Sequence, residues 1–200
     1  MNEWESKRLL GDIPRPREAL TGSREEAVTF ARSLGVPVVA KASGVEHKTE
    51  RGGVRLGADL GAVWEELAAV GDGRVLVAEQ IAGELELIAG GLRDPQFGPL
   101  VSLGLGGVAA EVFHDVAFLL APTAPGELEK AIARLRCAPL LNGHRGRPPV
   151  DRAALQRILD AIAGLLLRDP EVVEVDCNPV LVRAGCPLVV DALVVKRVQQ

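Results

Sequence analysis

Apolar residues change their spacing several times along this chain, and each change marks an element. From Ser23-Arg24-Glu25-Glu26 a helical pattern runs to Leu34 and stops at Gly35. A hydroxyl N-cap with an acidic first turn opens that helix, and a glycine closes it. The unbroken apolar run Val36 to Ala42 predicts a buried strand. A polar turn, His47 to Gly53, leads into a second strand from Val54 to Ala58. Leu60 to Val70 is helical again. Arg74 to Ile81 reads as an apolar strand broken at Gly83, and Glu84 to Leu92 and Leu100 to Leu105 as two more. Shorter helices are predicted for Trp4 to Leu10 and Gly126 to Arg136. A longer one starts at Asp151, with Leu155, Ile158, Leu159, Ile162, Leu165 and Leu166 on one stripe. The last strands are Val172 to Cys177, Val180 to Val182 and Pro187 to Val190. The break between the first two is assigned to Pro179, which cannot donate to a central ladder. Strands and helices mix without regular βαβ alternation. The expectation is an α+β architecture of two lobes, residues 1–77 and 78–200, hinged around Ala78 to Gly83.

Composition narrows the function classes. With 48% apolar residues in a 200-residue chain, a core is affordable without staples. The net charge of -4, the lack of a basic run, the scarcity of aromatic residues and the absence of Tyr exclude the usual nucleic-acid binding modes. Cys137, Cys177 and Cys186 are scattered and odd in number, which points to a reduced, cytoplasmic protein and not a disulfide scaffold. No Cys/His group has zinc spacing. The start Met1-Asn2-Glu3-Trp4-Glu5 is acidic and shows no leader pattern, and no apolar run reaches membrane-spanning length.

Five groups carry chemistry. Val175-Asp176-Cys177-Asn178-Pro179 brings a carboxylate and a carboxamide two residues apart, on one face of a strand. With Asp191 after the next strand, they form an oxygen set suited to a hard cation that also carries phosphate. The other reading is a pair of turn caps. Lys41 ends an apolar strand, where it either snorkels to solvent or points into a cleft. His47-Lys48-Thr49-Glu50-Arg51-Gly52-Gly53 is a flexible loop whose backbone amides suit phosphate or merely close a hairpin. It lacks the Walker pattern. Glu79 ends a buried strand. Glu86 shares its face with Ile88, opposite Leu85 and Leu87, an unusual pair for a solvent face.

In this order the segments Gly35–Lys41, His47–Leu56, Arg93–Pro99, Gly104–Gly107, Arg145–Pro149 and Asp176–Pro179 resemble an ATP-grasp domain. The likeness is to the β-subunit type of ADP-forming acyl-CoA synthetases, and more distantly to the β subunit of succinyl-CoA synthetase. It implies an ATP-grasp fold of two lobes with a nucleotide cleft between them, and ATP or ADP with Mg2+ as cofactors. It implies that Lys41 contacts phosphate, that Gly52 and Gly53 belong to the loop over the phosphates, and that Glu79 lies at the adenine hinge and Glu86 at the ribose. Asn178 and Asp191 would hold magnesium, supported by Asp176, and His47 would carry a phosphoryl group. His114, His144, Glu111 and Asp115 are given no catalytic part.

The family reaction joins an acid and CoA at the expense of ATP through acyl phosphate and phosphohistidine. A CoA-binding domain and a phosphohistidine domain do not fit in 200 residues. The likeness therefore implies a separate α-type partner subunit, through which CoA and a small carboxylic acid are reached. Two departures stand out: the Lys41–His47 connection is two residues short, and Leu119 stands where relatives often carry Arg. Two other readings compete: a degenerate, non-catalytic grasp module, and a carboxylate–amine ligase, against which the His-Lys-Thr segment argues.

Overall fold

The computed structural model describes residues 1–45, 48, 51–57, 59–107 and 112–197. The chain divides into two compact units, Met1–Glu5 with Pro16–Ile81, and Ser6–Arg15 with Ala82–Gln200. Compared with a division at 77/78, the boundary sits at Ile81 and the segment Ser6–Arg15 belongs with the later residues. Hydrogen bonds explain that membership. Ser6 Oγ accepts from the Val194 amide at 3.1 Å, and the buried Lys7 Nζ donates to the Val190 carbonyl at 2.8 Å. The Val189 amide donates to the Pro14 carbonyl at 2.8 Å.

The first unit is a four-stranded antiparallel sheet covered by two helices. Its strands are β1 (Glu18–Thr21), β2 (Val38–Ala42), β3 (Val54–Leu56) and β4 (Val75–Glu79), in the order β1-β4-β2-β3. Helix α2 (Arg24–Leu34) starts where Ser23 accepts from the Glu26 amide and ends at Gly35, whose φ of 66° suits glycine. Helix α3 (Leu60–Val70) starts at Asp59, whose side chain accepts from the Gly61 amide. Val38, Ala40 and Ala42 of β2 and Val75 and Val77 of β4 pack with Ala27, Leu34, Leu60 and Leu67 in one core. Strand parity then turns Val39 and Lys41 to the other face. Helix α1 (Glu3–Leu9) opens with a reciprocal cap: Glu5 N–H donates to Asn2 Oδ1 at 2.9 Å, and Asn2 N–H to Glu5 Oε2 at 3.3 Å.

The second unit is a six-stranded antiparallel sheet. Its strands are β5 (Leu85–Asp94), β6 (Gly98–Leu105), β7 (Val116–Leu120), β8 (Val172–Arg183), β9 (Cys186–Val189) and β10 (Leu193–Lys196). The order is β10-β8-β5-β6-β7, with β9 also paired to β8. Helices α4 (Glu127–Arg134), α5 (Ala138–Leu141) and α6 (Arg152–Arg168) complete it. All six residues of the stripe on α6 are 0–1% exposed, against Leu87, Ala89, Val101, Leu103, Val175 and Cys177 of the sheet. Each such burial stabilises the fold by about 1.5–3 kcal/mol. Gly91 permits that approach, because a Cβ there would lie 2.6 Å from Ile162 Cγ2.

Two strand readings are corrected. β8 does not stop at Pro179 but continues to Arg183. Ala89 pairs with Cys177 and Leu87 with Val180, so Asn178 and Pro179 together face Ile88 alone. This bulge takes proline out of the ladder, where its missing N–H does no harm. β7 and β10 are strands the sequence pattern did not mark. Among the described residues, no helix is long and apolar enough to cross a membrane.

Candidate functional site

The chemistry-bearing side chains fall into one group per unit. In the first unit, Lys41 is buried, at 5% exposure, in the middle of the sheet. It does not snorkel. Its Nζ lies 2.7 Å from Glu3 Oε1, and the other oxygen of the same carboxylate bonds to Lys48 Nζ. Glu3 is itself buried, and sequence reading missed it, because its lysines lie 38 and 45 residues further on. Gly53 is buried and its amide donates to the Lys48 carbonyl at 2.6 Å, while its own carbonyl accepts from the Ala42 amide at 2.8 Å. It therefore closes the base of the loop, and its amide is already engaged. Gly52 is exposed with φ 66°. His47, Thr49, Glu50 and Glu111 lie outside the described residues.

Glu79 ends β4 nearly buried, with Arg17 Nε donating to its Oε2 at 3.1 Å. The Glu79 amide bonds to the Arg17 carbonyl at 2.9 Å, and Arg17 also reaches the Leu34 carbonyl at 3.3 Å. An arginine on the β1 side thus aims this carboxylate.

In the second unit the face of the sheet away from α6 carries Glu174, Asp176 and Asn178 at every second position of β8, all exposed. Asp191 follows β9 in the short connection to β10, beside the bulge, since the Val190 amide donates to the Pro179 carbonyl at 3.0 Å. The Asp176 side chain is exposed, yet neighbouring protein atoms strip part of its hydration; this, then the negative charges of Glu174 and Asp191, raises its carboxyl above the usual Asp range. Among the described residues no group of three or more His, Cys, Asp or Glu side chains could hold a metal ion by itself. Two carboxylates with one carboxamide in a locally negative field fit a cation that keeps waters and takes its remaining ligands from phosphate, as Mg2+ does.

Glu86 lies on the same open face, on β5, with Ile88 and Gly90. Gly106 and Gly107 wrap it. The Gly106 amide donates to the Glu86 carbonyl at 2.8 Å, and a Cβ on Gly107 would sit 3.0 Å from Glu86 Oε2. Leu119 faces inward from β7 and is 4% exposed in the core. Its side chain is a packing residue here, so it leaves no vacancy on the open face. Asp115 is also structural: Arg136 and Cys137 donate their amides to it at 2.8 and 2.7 Å. Arg145 and His144 line a cavity of about 320 Å³, with Arg147 pinned to the Glu84 carbonyl at 2.7 Å.

Comparison with known proteins identifies the family of the chain as a whole. A family model described as an ATP-grasp domain matches residues 1–195. The chain is 39% identical over 180 residues to an acetate–CoA ligase [ADP-forming] I of Archaeoglobus fulgidus, covering 84% of this chain and 26% of that protein. It therefore spans about a quarter of that relative's length. It is 33% identical over 206 residues to the acetate–CoA ligase [ADP-forming] I subunit beta of Pyrococcus furiosus, covering 95% of this chain and 89% of the subunit. Among solved structures, a dinucleotide forming acetyl-coenzyme A synthetase 1 of Ca. Korarchaeum cryptofilum, in complex with coenzyme A and Ca-AMPCP, superposes with a TM-score of 0.88 at 36% identity. That match covers 98% of this chain and 93% of the solved one.

Proposed function

The chain belongs to the ATP-grasp family, and from that premise we propose that it is the nucleotide-binding, β-type subunit of an ADP-forming acyl-CoA synthetase. In this reading it moves a phosphoryl group between ATP or ADP and a phosphohistidine, within the overall conversion of acid, CoA and ATP to acyl-CoA, ADP and phosphate. The observation that carries the reading is its likeness to a separate β subunit over nearly the whole of both chains. CoA, a small carboxylic acid and the phosphohistidine segment are reached through a partner subunit. A cytoplasmic setting accords with ATP and CoA chemistry and with two buried free thiols, Cys137 and Cys177.

The residue roles follow from charge and placement. Lys41, a buried ammonium on β2, contacts nucleotide phosphate. Gly52 stays on the exposed side of the phosphate loop, and Gly53 shapes that loop through its two main-chain bonds. Glu79, aimed by Arg17, serves the adenine end, and Glu86 accepts from the ribose hydroxyls. Asn178 and Asp191 hold magnesium, with Asp176 in support; the bound ion supplies neutralisation of phosphate charge during transfer. His47 carries the phosphoryl group in transit, a role that rests on the His-Lys-Thr segment.

The test is calorimetry of MgATP with the purified chain beside Asn178→Ala, followed by turnover with a CoA-binding partner. Magnesium-dependent binding that weakens in the variant, together with acyl-CoA formation by the complex, supports the reading. A well-folded chain that binds no MgATP, alone or in the complex, overturns it.

A further inference from the structure

We propose that Glu3 is the positioning residue for the lysine pair Lys41 and Lys48, and through Lys48 for the Gly53 turn that leads into β3. The proposal rests on the nucleotide-binding reading for its consequence in turnover, but its structural half stands alone.

One carboxylate reaches two ammonium groups on different segments: Oε1 is 2.7 Å from Lys41 Nζ on β2, and Oε2 bonds to Lys48 Nζ in the connection to β3. The carboxylate is 4% exposed and the two lysine side chains 7% and 14%. At that depth a charge is tolerated only with charged partners, and a lone one would cost several kcal/mol, on the order of that for any unpaired buried ion. The aim of Glu3 is itself fixed. It is the first residue of α1, and the reciprocal Asn2–Glu5 bonds set the start of that helix.

The consequence falls on the loop. The Lys48 carbonyl accepts from Gly53, whose carbonyl accepts from Ala42 at the end of β2. Lys48 is thus held at its main chain by the loop base and at its side chain by Glu3. A lysine stem has four rotatable bonds and a compact head with no fixed plane, so its direction comes from its partner. Glu3 therefore gives Lys41 and Lys48 a common reference point.

Glu3→Gln is the informative variant. Its amide has one acceptor oxygen, and its NH2 faces the second ammonium, so one of the two ion pairs to this side chain is lost. Hydrogen exchange on the intact chain should show the Gly53 amide exchanging roughly tenfold faster, with residues 75–79 unchanged. In the complex with its CoA-binding partner, kcat should fall about tenfold to a hundredfold, the scale of a small misplacement of a reacting group. KM for MgATP should stay within about threefold, since both ammonium charges are retained. Glu3→Asp keeps the charge but is one methylene shorter, and should fall between wild type and Gln in both readouts; it also serves if the Gln variant folds poorly. Unchanged exchange at Gly53 in a folded variant, or a raised KM with unchanged kcat, overturns the positioning role. If wild type itself binds no MgATP, the nucleotide reading fails, while the exchange result still decides the clamp.

Discussion

Asp115 and Cys137 are held together: the carboxylate of Asp115 accepts the Cys137 amide at 2.7 Å, and the neighbouring Cys137 thiol also favours the charged carboxylate. With the Arg136 amide at 2.8 Å on its other oxygen, Asp115 ties the start of β7 to the turn between α4 and α5. Burial pushes its proton affinity up, but the two amides and the thiol outweigh this, so the carboxyl sits below the usual Asp value. A group depressed in the fold contributes stability that is present above the unfolded value near 3.9 and is lost as pH falls through the folded value. Asp115→Asn should cost about 1.5–3 kcal/mol in denaturant unfolding at pH 7, because the amide nitrogen faces an N–H. The difference from wild type should shrink below about pH 4. A difference that stays constant down to pH 3 would show that the charge is not what stabilises this turn.

The three thiols should separate by reactivity. Burial, then the Asp115 carboxylate, pushes the Cys137 thiol up to about 12, and burial with nearby Asp176 does the same for Cys177. Both remain protonated at neutral pH, and the thiolate is the nucleophile. Cys186 is exposed. Iodoacetamide at pH 7.5 should therefore label the folded chain on Cys186 alone, and all three sites after unfolding, as read by peptide mass. Early labelling of Cys177 would contradict its place on the inward face of β8, beneath α6.

Local signals were legible and distant ones were not. Both ends of α2, the bounds of α3 and the inward stripe of α6 could be read because caps and periodicity are written within a few residues. The strands bearing Lys41, Glu79, Glu86 and Asp176 were readable from apolar runs, and parity alone put Asp176 with Asn178. β7 and β10 escaped because they are short and lie at the two ends of the sheet order. Pro179 misled because a bulge is a property of two paired strands, and only the pairs on either side of it, Leu87 with Val180 and Ala89 with Cys177, reveal it. Glu3 and Lys7 escaped for a related reason: a buried charge in a short amphipathic helix looks like a solvated one until its partner, Lys41 or the Val190 carbonyl, is brought up by the fold.

Gly91 should be intolerant of a single methyl group. A Cβ there would meet Ile162 Cγ2 at 2.6 Å, Leu166 Cδ1 at 2.7 Å and the Leu100 carbonyl at 3.0 Å. Gly91→Ala should destabilise the chain by about 1–3 kcal/mol, the usual range for overpacking. Ile162→Ala removes that Cγ2 from the opposing helix, so the double variant should lose less than the sum of the two single changes. Strict additivity in urea unfolding would mean that the carbonyl, not the helix, limits the space.

Gly107 should affect nucleotide binding only through Glu86. Its φ of 64° and the 3.0 Å distance from an added Cβ to Glu86 Oε2 leave room for no side chain while the carboxylate keeps its place. Gly107→Ala should cost about 1 kcal/mol of stability from backbone conformation. If Glu86 accepts from the ribose hydroxyls, displacing it should also weaken MgATP binding by roughly tenfold, the worth of one charged hydrogen bond. Glu86→Ala should weaken binding to a similar extent, since it removes the same acceptor. The two effects share one cause, so the double variant should bind MgATP no more weakly than Glu86→Ala alone. Calorimetry on the four proteins completes the cycle. A further loss of affinity on adding Gly107→Ala to Glu86→Ala would place the effect of this glycine elsewhere and detach the ribose role from the Gly106-Gly107 turn.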